Sequence, residues 1–503
     1  MLGEAARTES QAENYFNAYM NAIDEVGKLN LIKNLSNGVS IKISALHPRY
    51  EMRKIHNLES VLIPKLLELI HYAKSKDVEI TIDAEEQDRL SLSLHIIEML
   101  AYDKALKDWP GFGIALQAYG KRSHDVIYWL NTMLKKREKM HLRLVKGAYW
   151  DYEIKHAQVS GYEGYPVFSK KSLTDISFLS CARQILQNKK IYPKFATHNA
   201  HTISSISFLA KDSPYEFQRL YGMGELLYKS ASEVLGLDKR PSIYAPIGNY
   251  KDLLPYLVRR LLENGANSSF INRLLDPETD SKWLAENPMV RMKKETKEIP
   301  LPKDIFNKRE NSSGYDLTED ENLKRLESSL AKFENTLVDA ESIYVGRVKS
   351  STSAHKAISV ANNKLIGSVT FDDPSNIENA ITNKSESIWN HFSVDERSKV
   401  LQDIADHIEQ EPNQLIFYLI NEAGKTIQNA IDEIREAIDF LRYYSEQIKE
   451  IPAQIKKYCK KKYYKSLTLK FKKSKISTAD IIKIFIEKKF KLKEISTKES
   501  DLE

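Results

Sequence analysis

His141-Leu-Arg-Leu-Val-Lys-Gly-Ala-Tyr-Trp150 decides the fold. Leu142, Leu144 and Val145 make a short apolar strand. Arg143 and Lys146 place two cations on it, Gly147 interrupts it, and a helical pattern follows. The same sequence of events recurs from about Val39 to Leu262: a brief apolar run, polar residues near its end, then an amphipathic helix. That alternation predicts a parallel α/β fold. The other candidate strands are Val39–Ser44, Val78–Ala84, Gly113–Tyr119, Tyr192–His198, Phe217–Tyr221 and Ser242–Pro246, giving seven with His141–Lys146. Between the first two, Leu62, Leu66, Leu69, Ile70 and Ala73 share one helical face, with Pro64 placed in the opening turn. A (β/α)8 barrel needs eight strands. The helical segment Ala5–Lys28 precedes the first visible strand, so the missing strand is expected before it, where almost no chain remains. An open doubly wound sheet is the alternative, but no Gly-x-Gly-x-x-Gly follows any strand.

Length and charge bound the rest. The 503 residues, 42% of them hydrophobic, can bury more than one core. No apolar run approaches the roughly 18 residues needed to span a bilayer, and the opening Met1-Leu-Gly-Glu-Ala5 lacks the layout of a signal peptide, so a cytoplasmic protein is expected. Cys181 and Cys459 are far apart and lack ligand-spaced neighbours, which supports neither a disulfide framework nor a metal site. The net charge is +6, yet residues 451–503 alone carry +10, from 16 Lys against 6 acids. The first 450 residues are therefore mildly acidic, and only the tail could favour polyanions.

The first domain is read as residues 1–290. A charged, Pro-bearing linker follows over 291–320, then a second unit over 321–450 with helical patterns at Val394–Glu409 and Ile427–Gln447. Gly424-Lys425-Thr426 invites a phosphate-loop reading, but Leu419 stands where that loop needs Gly. The tail 451–503 is Lys-rich and reads as solvated; a basic helix around Ile481–Ile486 touching an anionic membrane is the other reading.

In a parallel barrel the chemistry lies where strands end. Here Asp83, Gln117, Arg143, Lys146 and Thr197-His198 collect at such ends, and Lys42 faces opposite to Ile41 and Ile43. Each has a bland reading as a helix cap, a core hydrogen bonder or an ion-pair partner. Further on, Tyr256-Leu-Val-Arg-Arg-Leu-Leu-Glu263 sets two adjacent guanidiniums on an apolar helix. Arg259 and Arg260 suit a bidentate anion, although Arg259 could equally pair with Glu263 four residues on. The set is rich in cations and lacks a nucleophile–base pair, which points to anionic ligands and cofactor chemistry. Trp150 and Tyr149 could cover a planar ring system.

Ser40-Ile-Lys-Ile-Ser-Ala-Leu-His-Pro-Arg-Tyr50, Thr81-Ile-Asp-Ala-Glu-Glu86, Arg143-Leu-Val-Lys-Gly-Ala-Tyr-Trp150, Phe195-Ala-Thr-His-Asn199, Glu216–Glu225 and Tyr256–Gly265 occur in this order. Together they resemble the flavin-dependent proline dehydrogenase domain of bacterial proline utilization A. The resemblance covers residues 1 to about 290. It implies a distorted (β/α)8 TIM-type barrel, its first strand missing here, that binds FAD and oxidises L-proline to Δ1-pyrroline-5-carboxylate, with a membrane quinone as electron acceptor. It gives the proline carboxylate to Lys42, Arg259 and Arg260, and the ring to Leu220, Tyr244 and Tyr256. It gives FAD to Ala84, Gln117, Lys146, Gly147, Ala148, Trp150, Thr197, His198 and Glu263, with Asp83 and Arg143 as the catalytic pair.

Trp389–Arg397 and Glu422–Tyr444 resemble the beginning of the aldehyde dehydrogenase domain of the same bifunctional family, a likeness that stops near Gln447. Aldehyde dehydrogenase activity is therefore not expected. The chain reads as truncated at both ends through a disrupted reading frame, without the family's DNA-binding segment. No nucleic-acid partner is expected, and peripheral contact with the inner face of the cytoplasmic membrane and oligomerisation stay open. The alternative is an inactive remnant acting at most as a binding or oligomerisation module.

Overall fold

In a computed structural model of the chain, the described residues are 3, 5–33, 37–237, 240–248, 253–254, 256–258, 282, 285–296, 298–341, 354–376, 378 and 391–458. Arg259, Arg260, Glu263, Cys459 and the tail from 459 onward lie outside them. Seven strands, β1 (Gly38–Ile41), β2 (Glu79–Ile82), β3 (Phe112–Gln117), β4 (Met140–Val145), β5 (Ile191–Ala196), β6 (Glu216–Leu220) and β7 (Ser242–Tyr244), form one sheet in chain order. Every neighbouring pair is parallel. Among the described residues, β1 and β7 each pair with one strand only.

Helices α1 (Glu9–Lys33), α2 (Ile55–Ser75), α3 (Leu90–Ala101), α4 (Ser123–Met133), α5 (Trp150–Ser160), α6 (Lys171–Leu186), α7 (Ala200–Ala210) and α8 (Glu225–Leu235) accompany the strands. Alternate strand residues explain the layering. Ile41, Ile80, Ile82, Phe112, Ile114, Leu116, Leu142, Leu144, Phe195 and Phe217 join one buried cluster with Leu58, Leu62 and Leu66 of α2 and Ile96 of α3. The intervening residues face inward, and many of them are polar. Arg143 on β4 reaches Ser40 on β1 and Gln218 on β6, while Lys194 on β5 bonds Glu79 on β2 at 2.5 Å. Tyr244 on β7 reaches Asp83 just past β2. Side chains from both ends of the strand order therefore meet across one interior: the sheet is curled into a partial barrel. Such interiors are usually filled by branched apolar side chains; here hydrogen bonds fill much of the space.

Two local expectations need correction. Pro64 is not in an opening turn, because α2 starts at Ile55 and places the proline inside the helix. Fully buried Leu58 extends the apolar face by one turn towards the N-terminus, which anchors a helix that has lost one backbone bond at the proline. The first strand stops at Ile41, and Ile43–Ala45 form a 3-10 turn, so Lys42 lies just beyond β1 in extended conformation.

Later segments continue this unit. α9 (Pro288–Lys294) and the stretch after it, read as a linker, lie along the barrel's helices: Arg291 bonds Asp175, Glu295 accepts from Ser172, and Pro300 O accepts from Tyr165. α10 (Asp320–Ala331) is followed by a three-stranded sheet of β8 (Val338–Glu341), β9 (His355–Ile358) and β10 (Leu365–Thr370), in the order β8-β10-β9. The chain divides into two units, the first comprising 1–340, 355–369 and 413–435 and the second 341–354, 370–412 and 436–503. α11 (Val394–Gln410) carries a capping box of Ser393 and Glu396. α12 (Asn413–Asn421) precedes α13 (Ile427–Tyr458), which continues past Glu450. Gly424-Lys425-Thr426 serves as a helix start, since Thr426 Oγ1 accepts from Asn429 N and Lys425 pairs with Glu433. Among the described residues no helix is long and apolar enough to cross a membrane.

Candidate active site

The residues that follow β1, β2, β3 and β4 converge at one mouth. Asp83 is central to it. One carboxylate oxygen accepts from Arg143 Nη1 at 3.1 Å and the other from the Tyr244 hydroxyl at 3.0 Å. Arg143, only 8% exposed, also donates from Nε to Gln218 Oε1 at 2.7 Å and from Nη1 to Ser40 Oγ at 2.9 Å. Its guanidinium lies 4.9 Å from the centre of the Tyr244 ring. Burial, followed by the Asp83 carboxylate, pushes the Tyr244 phenol well above its ordinary pKa, so it stays a donor. A buried guanidinium is thus held by one carboxylate, two neutral acceptors and a ring face, which fixes its direction.

Lys42 is 3% exposed and donates to the Tyr149 hydroxyl at 2.8 Å, while its backbone N–H donates to the Tyr19 hydroxyl of α1 at 3.0 Å. Lys146 pairs with buried Asp175 of α6. Gln117 spans two loops, its Nε2 donating to Glu85 O at 2.6 Å and its Oε1 accepting from Ala148 N at 3.3 Å. Gly147 has φ +137, and a Cβ there would lie 2.4 Å from the Tyr119 ring; only glycine allows the turn to lie on that ring. Glu85 is buried and accepts from Ser44 and from Arg89, and burial raises its pKa.

Other expected site residues sit around this centre. Thr197 is buried, and its carbonyl accepts from Tyr228. His198 Nε2 accepts from Leu220 N at 3.1 Å, which places any ring proton of a neutral imidazole on Nδ1. Asn199 caps α7 by accepting from Thr202 N at 3.0 Å. Tyr256 is buried, Ala84 lines a small cavity behind the β2 loop, and Trp150 lies at the rim with Nε1 donating to Phe168 O. Asp83, Arg143 and Tyr244 are in mutual contact; Lys42, Lys146 and His198 bond to other groups. Ser40, Gln218, Tyr19 and Asp175 join this network without being among the residues expected from the sequence. The signal for Ser40 and Gln218 was available, because both stand at inward positions of the alternation, beside Ile41 and Phe217.

Comparison with known families bears on this geometry. The profile described as "Proline dehydrogenase" matches residues 1–273, more than half of the chain. The chain belongs to the proline dehydrogenase family. A second profile, "Aldehyde dehydrogenase family", matches residues 348–470. Among curated proteins, the Bifunctional protein PutA of Escherichia coli (strain K12) is 40% identical over 480 residues, covering 90% of this chain and 36% of that protein. Proline dehydrogenase 1 of Bacillus subtilis (strain 168) is 28% identical over 276 residues, covering 54% of this chain and 78% of that one. A crystal structure of a mutant of Bradyrhizobium japonicum Proline Utilization A (PutA) superposes with a TM-score of 0.78 at 38% identity, covering 89% of this chain and 44% of that one. The chain spans about a third of the length of the bifunctional relatives it matches first. The likeness to a bifunctional proline dehydrogenase, the parallel α/β barrel and the partial aldehyde dehydrogenase-like region expected from the motifs are all present.

Proposed function

We propose that this chain oxidises L-proline to Δ1-pyrroline-5-carboxylate with FAD as cofactor and passes the electrons to a quinone. The observation that carries the reading is the Asp83–Arg143–Tyr244 cluster at the strand ends, within the stretch matched by the proline dehydrogenase family. The residues present suit a flavin. Arg143 and Lys146 offer cations to its anionic parts, and the Gly147 turn brings backbone close to a ligand without a side chain intervening.

FAD, when bound, supplies the hydride acceptor. The chain's own residues bind and orient. Lys42, with Arg259 and Arg260, holds the substrate carboxylate, and Leu220, Tyr244 and Tyr256 pack against its ring. A clamped carboxylate turns an encounter into an oriented reaction, which is worth several kcal/mol of barrier. Arg143 keeps a fixed positive charge at the mouth, stabilising negative charge that builds up there during the reaction. Asp83 holds Arg143 and the Tyr244 hydroxyl in place. Ala84, Gln117, Ala148, Trp150, Thr197, His198 and Glu263 complete the cofactor's surroundings in this reading. The aldehyde dehydrogenase-like part is proposed to carry no activity of its own in this chain.

The test is spectroscopic. The purified chain, supplied with FAD and passed through a desalting column, is expected to retain a flavin spectrum that bleaches anaerobically with L-proline and recovers on adding a water-soluble quinone. It is expected to show no NAD+ reduction with Δ1-pyrroline-5-carboxylate. Folded protein that takes up no flavin would mark an inactive remnant and end this proposal.

A further inference from the structure

Glu153 has no part in the site described so far, yet it is 1% exposed, and among the described residues its carboxylate is met by a backbone N–H and a tyrosine hydroxyl rather than by a cation. It stands in the first turn of α5, directly after the Lys146–Tyr149 turn. Its Oε1 accepts from Gln87 N at 2.8 Å, in the loop after β2, and from the Tyr119 hydroxyl at 3.2 Å, just past β3. Its own N–H donates to Tyr149 O at 2.9 Å. The carboxyl group, carried on the helix that follows the Lys146 turn, therefore reaches both the loop that carries Asp83 and the residues just past Gln117.

Packing does not require a carboxylate there. Ile154 and Ala157 already supply the buried apolar face of α5, and an ion taken out of water costs several kcal/mol. Burial, with Asp88 and Glu86 nearby, pushes its pKa up to about 7. What the group provides is aim. The Tyr119 ring that it holds by the hydroxyl is the surface on which Gly147 rests. The Gln87 bond holds the loop that begins with Asp83. Gln117 links the same loops by donating to Glu85 O and accepting from Ala148 N, so two side chains hold them together.

We propose that Glu153 is a positioning residue for the reaction, setting the relative placement of the loops after β2, β3 and β4 through the two hydrogen bonds accepted by Oε1. It touches neither substrate nor cofactor. The claim about catalysis rests on the function proposed above, and the experiment separates the two.

Glu153→Ala, Glu153→Gln and Tyr119→Phe are made in the full chain. The first readout needs no ligand: amide hydrogen exchange. Glu153→Ala is expected to speed exchange at least tenfold in the peptides covering 84–89 and 146–150, and Glu153→Gln, which keeps an Oε1 acceptor, is expected to stay near wild type. The second readout is turnover per bound flavin. Glu153→Ala is expected to lower kcat about 10- to 100-fold, the scale of a small misplacement at an oriented site, with the KM for proline changed less than threefold and Glu153→Gln restoring most of kcat. Should Glu153→Ala fail to fold by circular dichroism, Tyr119→Phe takes its place with a smaller effect in the same peptides. Unchanged exchange in Glu153→Ala, or in Tyr119→Phe where the first does not fold, overturns the proposal. Equal damage in Glu153→Gln and Glu153→Ala also overturns it. A wild type that binds no flavin defeats the function and leaves the exchange result to decide the placement of the loops.

Discussion

Asp83 illustrates how little of a residue's role is visible from its position in a strand. At the end of β2 it reads as a helix cap or as a partner for Lys42, but its two oxygens hold Arg143 and Tyr244, residues 60 and 161 positions away in sequence. Asp83→Asn keeps the size and one acceptor while removing the charge opposite a buried guanidinium. Because small misplacements at an oriented site cost up to about a hundredfold in rate, this substitution is expected to lower kcat by roughly 10- to 100-fold and KM to change less, as read by steady-state kinetics with a quinone acceptor. Glu153 makes a different point. An acid in a helix's first turn is ordinarily explained by the helix dipole, so its position in the sequence does not single it out. With a folded pKa of about 7 against an ordinary 4.5, the folded chain keeps a proton that the unfolded chain has released. Stability from this group is present below about pH 4.5 and is lost as pH rises through about 7. The melting temperature of Glu153→Gln relative to wild type is therefore expected to rise between pH 5 and pH 8; a flat difference would remove the shifted carboxyl from the account.

At the scale of elements, the helices were legible and their ends were less so. Val394–Gln410 matches the periodicity read from the sequence because one strong cap, Ser393 with Glu396, marks its start. α2 has no side-chain cap, so nothing local signals that it begins at Ile55 and runs through Pro64. The strands were found by their apolar outward residues, whereas the inward ones look in sequence like those of a surface strand. Gly113 shows why the interior matters. It faces the imidazole of His141 on the neighbouring strand, and a Cβ there would stand 2.1 Å from His141 Cδ2 and 2.3 Å from its carbonyl oxygen. His141 is held neutral by burial, with Lys194 and Arg143 adding to the effect, and it bonds Thr81 at 2.8 Å. Gly113→Ala must push this ring or the β3–β4 pairing aside, and overpacking of that kind costs about 1–3 kcal/mol. A lowered melting temperature with little change in the KM for proline is the expected outcome, and unchanged stability would show that the ring has room to move.

For the whole molecule, the order of seven parallel strands and the polar character of their ends were both readable, since each follows from chain order and two-residue alternation. The meeting of Arg143 with Ser40 and Gln218 was not readable, because it depends on how far the sheet curls. That curl has a consequence for how the chain finds its fold. Lys194 answers Glu79 across the interior, Arg143 answers Asp83, and Tyr244 answers Asp83 from β7. A one-residue slip of any of these strands would turn its inward charges towards the apolar helices and leave their partners unanswered inside. A barrel lined only with leucine and valine would accept many such errors at small cost. Here the alignment of β2, β4, β5 and β7 is checked by strands they do not touch, and the site at the mouth assembles only when those checks agree.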